Sequence, residues 1–462
     1  MSETEPVKFP CRAVGDPAEA KLVGLHAQRQ DQRWMQRIKV VGGVLSAGQW
    51  RALGDAARLL TPSAPLHLTT RQDIEFHDLP TALVPFMQTS LAEAGLTAVG
   101  AGGDTPRNVT VCPCSGMARD SVDLVPLACE IRRTFAEIKG IFSLPRKFKV
   151  SLSCGPACGE PYVNDVALVA TRRRGRWGFA VIAGGSLGSK PATGIVVRDW
   201  LAARHALPFV VACVEVFAAH GDREHRNRAR LRHVRERVGD EAFRVLVGEA
   251  FERVLTERDW PDVTLSSAVE TFPAAMRLTF PNGDVTAQAA EALGDLAERE
   301  DLRVRITNHH EVAVFGPADE VLQDAVGASD VLARAAERQA HVVACPGTRW
   351  CKRALADTNG LADGIRRRLG ADSSPATTIC ISGCPNGCAH SRVARVGLVG
   401  GVSGRGDERH EAYDLFVGGA MGRGPDLSSP VALGIPADVA AERVVRALRE
   451  LDAGPAGASG GG

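Results

Sequence analysis

Gly43-Val44-Leu45-Ser46-Ala47, followed by Ala52-Leu53-Gly54-Asp55, returns as Gly283-Asp284-Val285-Thr286-Ala287 and then Ala292-Leu293-Gly294-Asp295, with the same spacing in both blocks. Further matches keep the order. Leu68-Thr69-Thr70-Arg71 meets Ile306-Thr307-Asn308-His309, and Val111-Cys112-Pro113 meets Ala344-Cys345-Pro346. Cys154-x3-Cys158 meets Cys384-x3-Cys388, and Gly184-Gly185-Ser186-Leu187-Gly188 meets Gly418-Gly419-Ala420-Met421-Gly422. Each match is weak alone; five in register predict two related halves around a pseudo-twofold axis, meeting near residue 260. A cofactor shared at that junction is the natural corollary.

Local periodicity supports this. Trp50, Leu53, Ala57 and Leu60 recur at helical spacing after Ser46, an N-cap, while Ile74 and Phe76 alternate with Glu75 and His77 as strand residues do. Each half therefore begins strand, helix, strand, strand. Phe179 to Ala183 reads as a buried strand, and Asp222 to Val238 as a long helix whose arginines form a solvated face. The tail GPAGASGGG, residues 454–462, has the composition of a disordered segment.

Bulk composition narrows the function. A chain of 462 residues allows roughly three compact units. Its 55 basic and 54 acidic side chains leave a formal net charge of +1, which argues against a nucleic-acid binder. No apolar run reaches the ~20 residues that cross a bilayer, and the first residues lack a signal peptide's apolar core. A cytoplasmic protein without membrane partners is expected.

Twelve cysteines in a reducing compartment must be buried, reactive or metal-bound. Cys11, Cys129 and Cys213 stand alone and read as inert. Cys345-x5-Cys351 and Cys384-Pro385-Asn386-Gly387-Cys388 supply four thiolates in two local pairs, the complement of an iron-sulfur cluster. Zinc competes for four thiolates, but its pairs are usually C-x2-C to C-x4-C. Cys112, Cys114, Cys154 and Cys158 form a second set of four. Its C-x-C pair brings two sulfurs too close to reach separate corners of a cube, so the cluster is assigned to the later set. Cys380 reads as a buried strand residue.

The chain resembles the siroheme-containing nitrite and sulfite reductase family, whose members carry C-x5-C followed by a Cys-Pro-Asn-x-Cys unit in a two-half arrangement. The resemblance runs from about Arg33 to Pro425. It implies an α+β fold in which two ferredoxin-like halves and two α/β cofactor-binding lobes surround a pseudo-twofold axis. The expected division is a lead at 1–20, a ferredoxin-like half at 21–100, a lobe for siroheme and substrate at 101–260, a second half at 261–338, a cluster lobe at 339–450 and a tail at 451–462. It also implies a 4Fe-4S cluster on Cys345, Cys351, Cys384 and Cys388, with Cys388 shared as the axial thiolate of the siroheme iron.

For the substrate, a small oxyanion, the resemblance points to Arg37, Arg107, Lys147 and Lys149. Lys147 and Lys149 share one face if they lie on a strand, where paired ammonium groups clamp an anion and depress each other's pKa. Thr70-Arg71-Gln72 together with His77 resembles the family's cofactor-contacting strand pair, and Asn108 lies in the next such segment, so Arg71, Gln72, His77 and Asn108 are expected to bind the siroheme. Gly184-Gly185 and Gly418-Gly419 permit close backbone approach. In the second half His309, beside His310, replaces the equivalent of Arg71, which predicts a fold position without the cofactor grip.

The expected reaction is six-electron reduction of sulfite to sulfide, because sulfite reductases carry lysine at the position of Lys149 where plant-type nitrite reductases tend to carry asparagine. Nitrite reduction to ammonia on the same site is the alternative. A precorrin-3B synthase-like oxygenase shares the fold and cluster but lacks the Lys-x-Lys clamp. A cluster-bearing electron carrier leaves the clamp without a purpose. With no flavin or NADPH-binding segment apparent, electrons are expected from ferredoxin or a partner flavoprotein.

Overall fold

Ser46 and Gln49 close a reciprocal capping box, the Ser46 hydroxyl accepting from the Gln49 N–H at 3.2 Å and the Gln49 side chain from the Ser46 N–H at 3.0 Å. The helix so started packs on its own duplicate. In this computed structural model, which describes residues 15–119, 121–155, 158–268, 270–337, 340–370, 378–420 and 426–452, the repeat read from the sequence is a repeat of architecture. Cys11 and the tail from 454 lie outside the described residues.

The first ferredoxin-like half runs α1 (Pro17–Leu22), β1 (Leu25–Ala27), β2 (Arg33–Ile38), α2 (Ala47–Leu60), β3 (Leu66–Leu68), β4 (Ile74–Pro80) and α3 (Val84–Glu93). The first lobe follows as β5 (Pro106–Val111), α4 (Val125–Glu137), β6 (Phe148–Ser153), β7 (Val166–Arg173), β8 (Arg176–Ala183), β9 (Ile195–Ala202), α5 (Ala206–His220), α6 (Leu231–Val238) and α7 (Asp240–Glu257). The second half comprises β10 (Ala274–Thr279), β11 (Asp284–Val285), α8 (Ala287–Glu298), β12 (Arg303–Ile306), β13 (Glu311–Gly316), α9 (Asp319–Gly327) and α10 (Asp330–Ala336). The second lobe is β14 (His341–Ala344), α11 (Gly347–Trp350), α12 (Thr358–Leu369), β15 (Thr378–Ser382), β16 (Val396–Ser403), β17 (His410–Val417), β18 (Ser429–Pro436) and α13 (Ala437–Asp452).

The two lobes share one sheet topology. Strands β5-β6-β7-β8-β9 and β14-β15-β16-β17-β18 lie in sequence order, the first two pairings parallel and the last two antiparallel in each. Smaller features repeat as well. Gln72 and His310 both adopt left-handed backbone at φ 60°, and Gly184 and Gly418 do so at 74° and 81°. Thr69 and Thr307 accept from the N–H two residues on, at 3.2 and 3.1 Å. Gly185 and Gly419 sit against the carbonyl oxygens of Tyr162 and Ala394, so the glycine doublets are set by backbone packing within each lobe.

Packing divides the chain differently from the repeat. One unit takes residues 1–186 and 192–336, the other 187–191 and 337–462. The junction near 260 is therefore a boundary of duplication and not of compactness, because the two ferredoxin-like halves share one core. Helices α2 and α8 cross at their glycines: a Cβ on Gly54 would stand 2.9 Å from the Ala287 carbonyl oxygen, and one on Gly294 would stand 3.1 Å from that of Ala47. Strand β11 pairs with β3 across the repeat, and Leu53, Leu293, Phe76 and Val314 lie in one buried cluster.

Two local expectations change. Helix α6 begins at Leu231, and 222–230 is not a continuous α-helix, because the Asp222 carboxylate accepts from the N–H groups of Glu224 and His225 at 2.9 and 2.8 Å and fixes a turn. Its arginines are not all solvated: Arg230 and Arg232 are buried. The stretch Ala203–His220 is 18 residues long and apolar enough by composition to cross a bilayer. Its Phe209, Cys213 and Phe217 are wholly buried in the core of the first lobe.

Candidate functional site

Strand β2 carries Arg37, and Lys39 follows two residues on, so both leave the same side of the chain. Arg37 pairs with Glu75 at 2.6 Å and donates to the Ala101 carbonyl at 3.0 Å. Burial pushes the Glu75 carboxyl up, but Arg37 and His77 hold it well below the usual carboxylate range. His77 stands behind this pair, 3.2 Å from Glu75 through Nε2 and 3.0 Å from the Gln28 amide through Nδ1. Its place in the structure is thus to orient Glu75, which orients Arg37.

Arg71 and Arg107 supply two further buried guanidinium groups. Arg71 donates to Asn164 Oδ1 at 2.6 Å and to the carbonyls of Asn108 and Val150 at 2.5 and 3.0 Å. Arg107, on β5, donates to the Gly103 carbonyl at 2.8 Å. Burial lowers Arg71 to about 10 and Arg107 to about 9, with Arg37 adding repulsion at Arg107. Asn108 holds the carbonyls of Val40 and Arg71 at 2.6 and 3.0 Å.

Gln72 is differently engaged. Its Nε2 donates to the carbonyls of Val111 and Ile306 at 2.8 Å each, and its Oε1 accepts the Val111 N–H at 2.9 Å. Both donors are spent on backbone, which makes Gln72 a staple between β5 and the second ferredoxin-like half. Lys149 lies on β6 and Lys147 just before it; both are half-buried, while Phe148 and Val150 beside them are buried. The Lys149 N–H donates to Asp165 at 2.7 Å, and Asp165 is paired with Arg230 at 2.7 Å. The His310 ring packs on that of His67 at 4.9 Å, and the metal-type group found among the described residues does not include His309 or His310.

Lys39 and Asp73 were passed over by sequence reasoning. The Lys39 ammonium donates to the Pro106 carbonyl at 3.0 Å, and burial lowers its pKa to about 7, helped by Arg107 and opposed by Asp73. Burial raises Asp73 to about 6 against the pull of Arg37, Arg71 and Lys39. A charged residue enclosed by other elements has no local sequence signal, and the alternation Arg37-x-Lys39 was the one hint.

In the second unit Cys345 and Cys384 follow the ends of β14 and β15, Cys351 caps α11, and Cys388 lies on the turn after Cys384. The Cys345 N–H donates to the Ile381 carbonyl at 3.1 Å, and Cys345 Sγ accepts the Gly383 N–H at 3.2 Å. Burial lifts the Cys345 thiol to about 12, with Cys388 and Cys384 contributing through their charge. Cys384 is also raised, by burial first and then by Cys388 and Cys351. Cys351 and Cys384 are half-buried and Cys388 is exposed; Cys380 is buried on β15 as expected.

The earlier set is gathered more tightly. All four sulfurs of Cys112, Cys114, Cys154 and Cys158 lie within 4.8 Å of one another. Cys114 Sγ is 3.3 Å from Cys154 and 3.1 Å from Cys158, and the Cys154 N–H donates to Cys112 Sγ at 3.0 Å. Hydrogen bonds from the surrounding thiols, Cys112 first, hold Cys114 far below the usual thiol range.

Residues 102–255 and 336–451 match the nitrite and sulphite reductase 4Fe-4S domain, and residues 26–94 match the nitrite/sulfite reductase ferredoxin-like half domain. The chain belongs to the nitrite and sulfite reductase family. It is 29% identical to an assimilatory ferredoxin-dependent nitrite reductase of Haloferax mediterranei, over 90% of this chain and 79% of that protein. It is equally 29% identical to a ferredoxin sulfite reductase of Mycolicibacterium paratuberculosis, over 84% of this chain and 74% of that one. The solved structure of the Mycobacterium tuberculosis NirA protein superposes with a TM-score of 0.80 at 22% identity, covering 96% of this chain and 88% of that chain, which shows the shared fold.

As a nitrite and sulfite reductase the chain is an oxidoreductase of siroheme and a 4Fe-4S cluster. The first unit fits an anionic macrocycle. Arg71 Nε and Arg107 Nη1 are buried with no hydrogen-bond partner among the described residues. Unpaired buried N–H groups of a cation are costly unless a ligand meets them, and the siroheme carboxylates are acceptors of that kind.

Proposed function

We propose that this reductase carries out the six-electron reduction of sulfite to sulfide. The observation that carries the reading is the enclosed cation group of Arg37, Lys39, Arg71 and Arg107, in which the unmatched N–H groups of Arg71 and Arg107 call for an anionic ligand. The siroheme and the cluster supply the electrons when bound. Cys345, Cys351, Cys384 and Cys388 would hold the cluster, and Cys388, exposed on its turn, would also be the residue that meets the siroheme.

The chain's own residues bind, orient and protonate. Arg71 holds the macrocycle, with Asn108 and Gln72 fixing the backbone around it and His77 fixing Arg37 through Glu75. Arg37, Arg107, Lys147 and Lys149 hold the oxyanion and stabilise the charge that builds on its oxygens. Lys39, whose pKa burial lowers to about 7, donates protons to oxygen as it leaves as water. Ferredoxin is the electron donor on this reading, in keeping with the names of the Haloferax and Mycolicibacterium relatives.

The nitrite reading is supported by the Haloferax relative and uses the same residues. Turnover of both anions with a reduced dye decides between them. A higher kcat/KM for sulfite is expected, and a wide preference for nitrite reverses the assignment. Turnover of neither anion, together with absent siroheme bands, favours the precorrin-3B synthase-like oxygenase.

A further inference from the structure

The tight set of cysteines in the first lobe is not used by the reaction above. It stands at the ends of the parallel strands β5 and β6, where the second lobe places Cys345 and Cys384 at the ends of β14 and β15. The framework is duplicated: the Cys112 N–H donates to the Leu152 carbonyl at 3.0 Å as the Cys345 N–H donates to that of Ile381 at 3.1 Å. The sulfur positions are not. Counting from these bonds, Cys154 falls at the position of Gly383 and not of Cys384, so its thiol turns toward Cys112 and Cys114. Gly159, at φ 74°, lets the chain after Cys158 close over Cys112: a Cβ there would lie 3.3 Å from the Cys112 Cβ.

Compactness selects the ligand. A single tetrahedral zinc ion bonded at about 2.3 Å requires thiolates about 3.8 Å apart, and four sulfurs inside 4.8 Å, with two pairs at 3.1 and 3.3 Å, bracket that span. A cubane bonds each thiolate to a separate iron and spreads them further. The C-x-C pair of Cys112 and Cys114, which argued against a cube, suits one ion. Cys154 N–H bonded to Cys112 Sγ is the type of backbone donor that steadies a metal-bound thiolate.

We infer that Cys112, Cys114, Cys154 and Cys158 form a closed four-thiolate site for one structural zinc ion, separate from the 4Fe-4S cluster. The ion pins the end of β5, which carries Arg107 and Asn108, to the end of β6, which carries Lys149. Four thiolates and no open position give it no place for substrate.

The test uses the purified holoenzyme. Elemental analysis is expected to find about one zinc per chain, and zinc-edge X-ray absorption is expected to find four sulfurs at about 2.3 Å. Cys114→Ala and Cys158→Ala are each expected to lose the zinc while retaining the acid-labile sulfide of the cluster. Wild-type holoenzyme with no zinc, or with nitrogen or oxygen ligands to zinc, overturns the inference without requiring any variant to fold. So does a native mass showing Cys114 disulfide-linked, or sulfide that disappears with Cys114→Ala.

Discussion

Lys39 donates to the carbonyl oxygen of Pro106 at 3.0 Å, inside the packed edge of the first lobe and beside Arg107. This ammonium group is enclosed with like charges, and its pKa of about 7 follows mainly from burial. Its folded value lies below the ordinary 10.5, so the folded protein sheds this proton first as pH rises. In cofactor-free protein the contribution of Lys39 to stability therefore grows between about pH 7 and 10.5. Lys39→Met is expected to flatten that rise, by on the order of a few kcal/mol in denaturant titrations across this window. In the holoenzyme the same substitution is expected to lower kcat at least tenfold and to remove the alkaline limb of its pH profile.

Arg230 and Asp165 form a buried ion pair at 2.7 Å under the backbone of Lys149. Arg230→Met strands the carboxylate and is expected to cost about 3–5 kcal/mol in chemical denaturation. Adding Asp165→Asn should recover a large part of this loss. Equal destabilisation of single and double variants contradicts a coupled pair.

The crossing of α2 and α8 is set by glycine. Gly54→Ala is expected to destabilise by about 1–3 kcal/mol, since its Cβ would meet a backbone oxygen at 2.9 Å. Gly48→Ala on the same helix meets nothing within 4 Å and is expected to be neutral or stabilising by up to about 1 kcal/mol. Similar midpoints for the two variants would count against the close crossing.

Gln72→Ala removes three hydrogen bonds, leaving the Val111 N–H and carbonyl and the Ile306 carbonyl without this partner. A loss of about 3 kcal/mol is expected, read as a lower denaturation midpoint in cofactor-free protein. An unchanged midpoint is incompatible with Gln72 as a staple.

Much of the duplication was legible because backbone geometry dictated residue type. Gly54 and Gly294 recur because two helices meet there, and Ser46 and Thr286 recur because both helices need an N-cap. What stayed hidden depended on tertiary enclosure: Lys39, Asp73 and Arg230 look like surface charges in sequence. Asp222 was read into an arginine-rich helix, whereas its side chain accepts from the N–H groups of Glu224 and His225 and fixes a turn. Cys112 to Cys158 were judged against a cube, when their spacing is that of a single ion.

The account depends most on which cysteines seat the cluster and meet the siroheme iron. Iron and acid-labile sulfide analysis with an absorption spectrum, taken on wild-type protein and on Cys345→Ser and Cys388→Ser, tests this directly. Wild type is expected to hold about four sulfides and about five irons with siroheme bands; Cys345→Ser is expected to lose the sulfide, and Cys388→Ser to lose turnover and change the siroheme bands. Full sulfide, an unaltered spectrum and undiminished turnover in both variants would contradict it.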